Sequence, residues 1–290
     1  MKRISFIFIL LVPCMVSFAQ SDYPLGEAYG KKICELPKET ILEQAQLEII
    51  YQHLTDDPEI NKTEEEYDIL MVGKKYALYK GYYRHKHDSI LQHRNQTKVT
   101  NKEYYTIFYS IESGYVAKST YILKHLFTGK IEVHESMLPD FYIYEEPRLD
   151  FKWKLTEGTR MVCGYQCKKA TCTFRGRKWT AWYAPNIIRS QGPWKFSGLP
   201  GMIMLIEDSK REHVFTATSV RKGNKNCLIS KYDQNEIKTN RRWFNKAKQN
   251  YELGPLDHLK AAGVTITNTD GSEAKLPKKR PFVFNPIEKE

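Results

Sequence analysis

The sequence predicts an α+β protein built mainly on antiparallel β-structure, a curved meander sheet with few helices. Three observations lead there. Aromatic residues are abundant, with 19 Tyr and 13 Phe among 290 residues, and they often alternate with polar ones in short runs. Glycine, proline or charged turns separate those runs at hairpin spacing. One segment alone carries a clear helical period.

The elements follow in order. Lys2 and Arg3, an apolar run from Ile4 to Met15 and the small-residue end Ser17-Phe18-Ala19 read as a secretory signal peptide over residues 1–19. The run is too short to span ~30 Å of hydrocarbon, and no later run is longer. Lipidation of Cys14 fits poorly, because Pro13 precedes it and little apolar sequence comes before. Residues 20–267 are expected to form a single β-rich domain, followed by an irregular, basic, proline-punctuated tail over 268–290. Within the domain, Thr40 to Tyr51 is ambiguous, helix-like in front and alternating behind. Glu66–Val72 and Lys75–Tyr79 read as strands ending near Gly73 and Gly81. Ser119–Phe127 and Lys130–Glu135 read as a hairpin around Thr128-Gly129. Met161–Phe174 reads as one strand that turns at Arg175-Gly176-Arg177 and returns as Lys178–Tyr183. Gly201–Glu207 and His213–Val220 make a third pair around the charged turn Asp208–Glu212. Thr239–Tyr251, with Trp243, Phe244, Ala247 and Tyr251 on one side, is the expected helix.

The net charge of +11 becomes +9 without Lys2 and Arg3. Export separates the chain from the nucleoid, so nucleic acid is excluded as a partner. Anionic lipid or an outer-membrane or envelope protein is the counterpart a basic exported protein meets. Arg241-Arg242 and Lys278-Lys279-Arg280 suit such a surface, and equally suit water.

Candidate chemistry is sparse. Gly198-Leu199-Pro200-Gly201-Met202-Ile203 is not a phosphate loop, because Pro200 lacks an N–H, no lysine follows, and a strand rather than a helix comes next. It reads as a corner feeding a strand buried on both faces, with Gly198 and Gly201 in unusual dihedrals or close packing. Trp182, Tyr183, Trp194 and Phe196 are candidates for a binding surface, against the plainer reading of a packed core edge. Cys163, Cys167 and Cys172 do not match zinc spacing. Cys163 and Cys167 on one strand lie ~13 Å apart, too far for a disulfide without a break near Gly164. A bond from this group to Cys34 or Cys227 is the expectation in an oxidising compartment. His85, His87 and His93, with Asp88 beside them, are a weak ligand set and read as a solvated face. No metal or cofactor is implied, and no nucleophile elbow, metalloprotease motif or paired carboxylate points to an enzyme.

One block is specific. "GYQCKKATCTFRGRKWTAWYAPNI" and "GPWKFSGLPGMIMLIED", with "EEEYDILMVGKKYALY" and "DSI" upstream and "FNPIEKE" at the end, resemble the GLPGLI family of secreted proteins of Gram-negative bacteria. Met202 replaces that family's second leucine. Cys167 matches a cysteine common in the family, whereas Cys163 and Cys172 look like additions. The resemblance implies secretion to the envelope and assigns no reaction. By analogy alone, the curved sheet of periplasmic lipid carriers is the architecture to expect. The sequence therefore reads as an exported binding protein for a lipid or envelope partner. An alternative is metal handling or thiol redox at Cys163, Cys167 and Cys172, and a hydrolase comes third.

Overall fold

The computed structural model describes residues 31–36, 38–58, 60–93, 98–111, 120–137, 140–254 and 285–289. The expected signal peptide, Cys14 and most of the 268–290 tail lie outside them.

Three meanders build the main sheet. The first is β3 (Leu47–Asp57), β4 (Lys62–Val72) and β5 (Tyr76–Gly81). The second is β7 (Tyr121–His125), β8 (Ile131–Met137) and β9 (Asp140–Glu146). The third runs through β10 (Lys154–Val162), β11 (Tyr165–Phe174), β12 (Arg177–Ala184), β13 (Met202–Asp208) and β14 (His213–Lys222). β14 pairs with β3 and β5 with β7, giving one twelve-stranded sheet that runs from β10 to the short strand β16 (Ile237–Thr239). Every pairing in it is antiparallel except β16 on β9. The fold class read from the sequence is the one found.

The connection 147–153 explains the curvature. It joins β9 to β10, which stand ten strand spacings apart in the sheet order. A flat sheet would separate them by roughly 50 Å, whereas that much chain reaches less than about 30 Å. The sheet must curl to bring its ends together, and with β10 and β16 as edges it does not close into a barrel.

Alternation then fills both faces. In β4, Leu70 and Val72 face the inner core, and Ile69 and Met71 face the outer one. The inner core contains Ile49, Tyr51, Trp179 and Phe215, and is plugged by Phe151, Phe196, Leu199 and Phe244. The outer core is capped by a two-stranded sheet, β2 (Lys38–Gln44) with β15 (Leu228–Asp233), which brings Cys227 and Ile229 onto Leu78 and Leu123. A third cluster sits under α1 (Tyr82–His93) and α2 (Asn101–Ser110), beside β1 (Ile33–Glu35) and β6 (Lys98–Thr100). α3 (Arg241–Leu253) packs on β9, with its N-terminus capped by Asn240, which accepts from the Trp243 N–H at 3.0 Å.

Several expectations are corrected. Met161–Phe174 is not one strand, because Cys163 and Gly164 form a tight turn at φ 49° and 78° and split it into β10 and β11. Thr40–Tyr51 resolves into the two strands β2 and β3. The histidine segment is helix α1 rather than a solvated face, and it buries His87 and Asp88. The described part of the tail, residues 285–289, has no regular structure and is docked on the fold.

Candidate functional site

The family-like hexapeptide sits where the loop 185–201 returns to the sheet. Gly198 takes φ 97° and Gly201 φ 154°. A Cβ on Gly201 would lie 2.3 Å from the Ala184 carbonyl oxygen, so only glycine fits. Pro200 is exposed, Leu199 is buried, and the Met202 N–H donates to the Ile187 carbonyl at 3.2 Å. From Met202 to Ile206 every residue is buried, which is what a strand covered on both faces requires.

The same loop delivers Lys195 into the core at 1% exposure. Its Nζ donates to the Tyr144 hydroxyl and to Glu146 Oε2, each at 2.7 Å, and to Glu288 Oε1 at 2.5 Å. Arg175, at the β11–β12 turn, reaches Glu288 Oε1 at 2.6 Å and also pairs with Glu146. Arg241, at the start of α3, donates to Glu288 Oε2 at 3.0 Å. Burial raises the Glu146 pKa, but Lys195 and Arg175 outweigh it and hold the carboxyl below its usual value.

Arg177 builds the other half. Its Nη1 bonds Asp208 at 3.1 Å and Glu212 at 2.6 Å. Its remaining donors read the tail: Nη2 to Asn285 Oδ1 at 2.5 Å and to the Pro286 carbonyl at 2.8 Å, and Nε to the Ile287 carbonyl at 3.1 Å. Asn285 Nδ2 donates to the Asp56 carbonyl at 2.7 Å, and Lys289 Nζ meets Glu212 at 3.0 Å. Burial raises Glu212, but Lys289, Arg177 and Asn285 reverse this and bring it down to about 2. The Arg175–Arg177 turn, Lys195, Arg241 and residues 285–289 thus meet at one clasp, around carboxylates supplied by Glu146 of β9 and by the Asp208–Glu212 turn.

The four candidate aromatics lie in or against one packed core. Tyr183 and Phe196 lie in the inner core, and Trp194 is half-buried with its ring 5.0 Å from Phe196. Trp182 is half-buried and also packs against this core, with Arg160 and Lys169 flanking its indole. The disulfide expectation is also corrected: Cys34, Cys163, Cys167, Cys172 and Cys227 are all free thiols. Cys163, Cys167 and Cys172 lie in or against the inner core, Cys227 in the outer one and Cys34 against the helical cluster, so the layers keep the first three from Cys227 and Cys34. Burial pushes Cys167 up to about 11 and Cys172 to about 12, which leaves little thiolate at neutral pH. Among the described residues, no three His, Cys, Asp or Glu side chains converge as a metal site.

Sequence reasoning missed two polar clusters. Asp88 accepts from Lys80 Nζ and Arg84 Nε, each at 3.0 Å, and from the Tyr232 hydroxyl. Burial and the cation Lys80 bring His85 down to about 4. In the second cluster, His53 Nε2 lies 3.1 Å from His213 Nδ1 and 3.2 Å from Thr55 Oγ1, and Asp68 accepts from Tyr79 at 2.5 Å. The His53 Nδ1 to Asp68 Oδ2 distance of 3.7 Å is too long for a hydrogen bond, so hydroxyl, imidazole and carboxylate do not form a relay. The signal available in sequence was a histidine at an inward position of an alternating strand.

At the far edge of the sheet, β10 projects with eight of its nine residues exposed, from Lys154 to Met161. Glu157 and Gly158 form a bulge against β11.

The comparisons with known proteins concern the centre of this block. A family model described as "Protein of unknown function (Porph_ging)" matches residues 173–205, the stretch that carries Arg175, Arg177, Lys195 and the hexapeptide. The matching model does not carry the GLPGLI name. No curated protein matches the chain. Two solved structures of PNGF-II, in the P21 and C2 space groups, are similar at TM-scores of 0.47 and 0.48 and 14% identity. They cover 70% and 72% of this chain and 33% and 34% of their own, so the chain spans about one third of that protein's length. No helix among the described residues is long and apolar enough to cross a membrane.

Proposed function

We propose that this is an exported, non-enzymatic binding protein that recognises an extended, acidic segment of an envelope protein by strand addition at β10. The observation that carries the reading is the exposure of that edge: β10 is the outermost strand, paired with β11 on one side only, and its residues from Lys154 to Met161 are exposed. An open edge offers backbone groups to an incoming strand. Lys154, Arg160, Lys168 and Lys169 surround it, against Glu157 alone, which selects an acidic partner. The same charges and the Glu157-Gly158 bulge oppose pairing between identical copies. Export rests on residues 1–19.

A lipid-holding groove is less well supported. The inner face of the central strands is filled by Phe151, Phe196, Leu199 and Phe244, and the outer face is capped by β2 and β15. Thiol redox and metal handling draw no support from the buried, protonated cysteines.

The test is fluorescence anisotropy with a labelled peptide of alternating Glu and Val against its Lys-Val counterpart. The acidic peptide is expected to bind, to weaken with salt, and to lose at least tenfold in Arg160→Glu with Lys154→Glu, which then prefers the basic peptide. New hydrogen-exchange protection confined to β10 is the accompanying sign. Equal binding of both peptides, or none, overturns the proposal.

A further inference from the structure

We infer that the clasp of Arg175, Arg177, Lys195 and Arg241 is a recognition site for an extended Asn-Pro-Ile-Glu segment, filled here by residues 285–288, and that the segment of a second copy can take the same place. The segment makes no strand pairing, yet each of its residues is held, Asn285, Ile287 and Glu288 through their side chains. Asn285 has both amide atoms engaged, by Arg177 and by the Asp56 carbonyl. The Pro286 and Ile287 carbonyls accept from Arg177. The Ile287 side chain packs on the inner core, and the Glu288 carboxylate is shared by Lys195, Arg175 and Arg241. Proline has no N–H to lose on docking and a fixed φ, so an extended segment containing it is already partly ordered.

The site needs its anion. With Glu288 removed, Lys195, itself fully buried, would share Glu146 with the partly exposed Arg175 and Arg241, leaving an excess of positive charge beside a buried ammonium. The chain can meet that need from itself or from a neighbour, because residues 255–284 separate α3 from the segment and reach on the order of 100 Å when extended. Exchange of an identical element is a low-cost route to a symmetric dimer.

The experiment uses full-length protein with a protease site inserted within 255–284, cut after folding so that the segment stays in place by its contacts alone. A labelled peptide FNPIEKE is expected to exchange into the cut protein with saturable anisotropy, and FNPIQKE to bind at least tenfold more weakly. In uncut protein the tethered segment competes, and the FNPIEKE signal falls by a similar factor. Two differently tagged full chains, concentrated and refolded together, are expected to co-purify as a dimer, and Glu288→Gln in both to abolish it. Equal binding of the Glu and Gln peptides, no exchange in the cut protein, or co-refolded chains that stay monomeric overturns the inference.

Discussion

Two residues show how local geometry sets what the chain tolerates. Gly201 and Gly164 both adopt positive φ, but only Gly201 abuts backbone, whereas a Cβ on Gly164 would meet nothing within 4 Å. Gly164→Ala is expected to cost about 1 kcal/mol of dihedral strain, and Gly201→Ala about 3 kcal/mol, because the Ala184 carbonyl cannot move aside. Urea denaturation of both variants checks the ordering. Lys124 is a different case. It is buried, and its Nζ donates to the carbonyls of Gly192 at 3.0 Å and Phe196 at 3.3 Å. Burial lowers its pKa to about 7. Between about pH 7 and the normal lysine range the folded chain has released a proton that the unfolded chain still holds. Stability therefore rises with pH there, at up to about 1.4 kcal/mol per unit. Lys124→Met is expected to remove that rise in denaturation curves taken from pH 7 to 9.5, and an unchanged slope would refute it.

Among the elements, the short edge strand β16 pairs with β9, and one histidine pins the residue that leads into it. His134 Nδ1 lies 2.7 Å from Glu236 Oε1, one residue before β16, and its ring stacks on Tyr121 at 4.1 Å. Burial lowers the imidazole pKa, but Glu132 and Glu236 outweigh it and leave it raised. A raised folded pKa gives stability that is fully present below about pH 6.5 and lost as pH rises through the folded value. Amide exchange at Ile237–Thr239 is expected to lose protection across that rise. His134→Gln should show the weaker protection at every pH, and a pH-independent wild type would count against the staple. Legibility at this scale followed the strength of the local signal. Gly129 in a Thr-Gly turn and the Trp243–Tyr251 spacing marked a hairpin and a helix. The Cys163-Gly164 turn was hidden because valine, cysteine and tyrosine on both sides favour strands. α1 escaped because its Tyr-, His- and Lys-rich sequence has no clean apolar stripe.

For the whole molecule, the clasp joins the ends of the fold and should yield to acid. Burial raises Glu146 and Glu212, while their cationic partners bring both below normal values, Glu212 to about 2. Depressed folded values give stability present above about pH 4.5 and lost as pH falls toward 2. Tail release in the cut protein is expected in that window, followed by size-exclusion chromatography, and retention at pH 2.5 would contradict the ion-pair account. The sequence by itself determined the meander, the glycine corner before a strand buried on both faces, and the basic charge, since each depends on neighbours along the chain. Only the tertiary structure decided that Lys195 and Arg241 turn inward. A lysine between two aromatics, and an arginine in an Arg-Arg pair, look solvated until Glu146 and Glu288 arrive from distant positions. Cys34 and Cys227 stayed apart from the other three thiols for the same kind of reason: placement in separate layers is set by how the sheet curls, and spacing along the chain does not encode it.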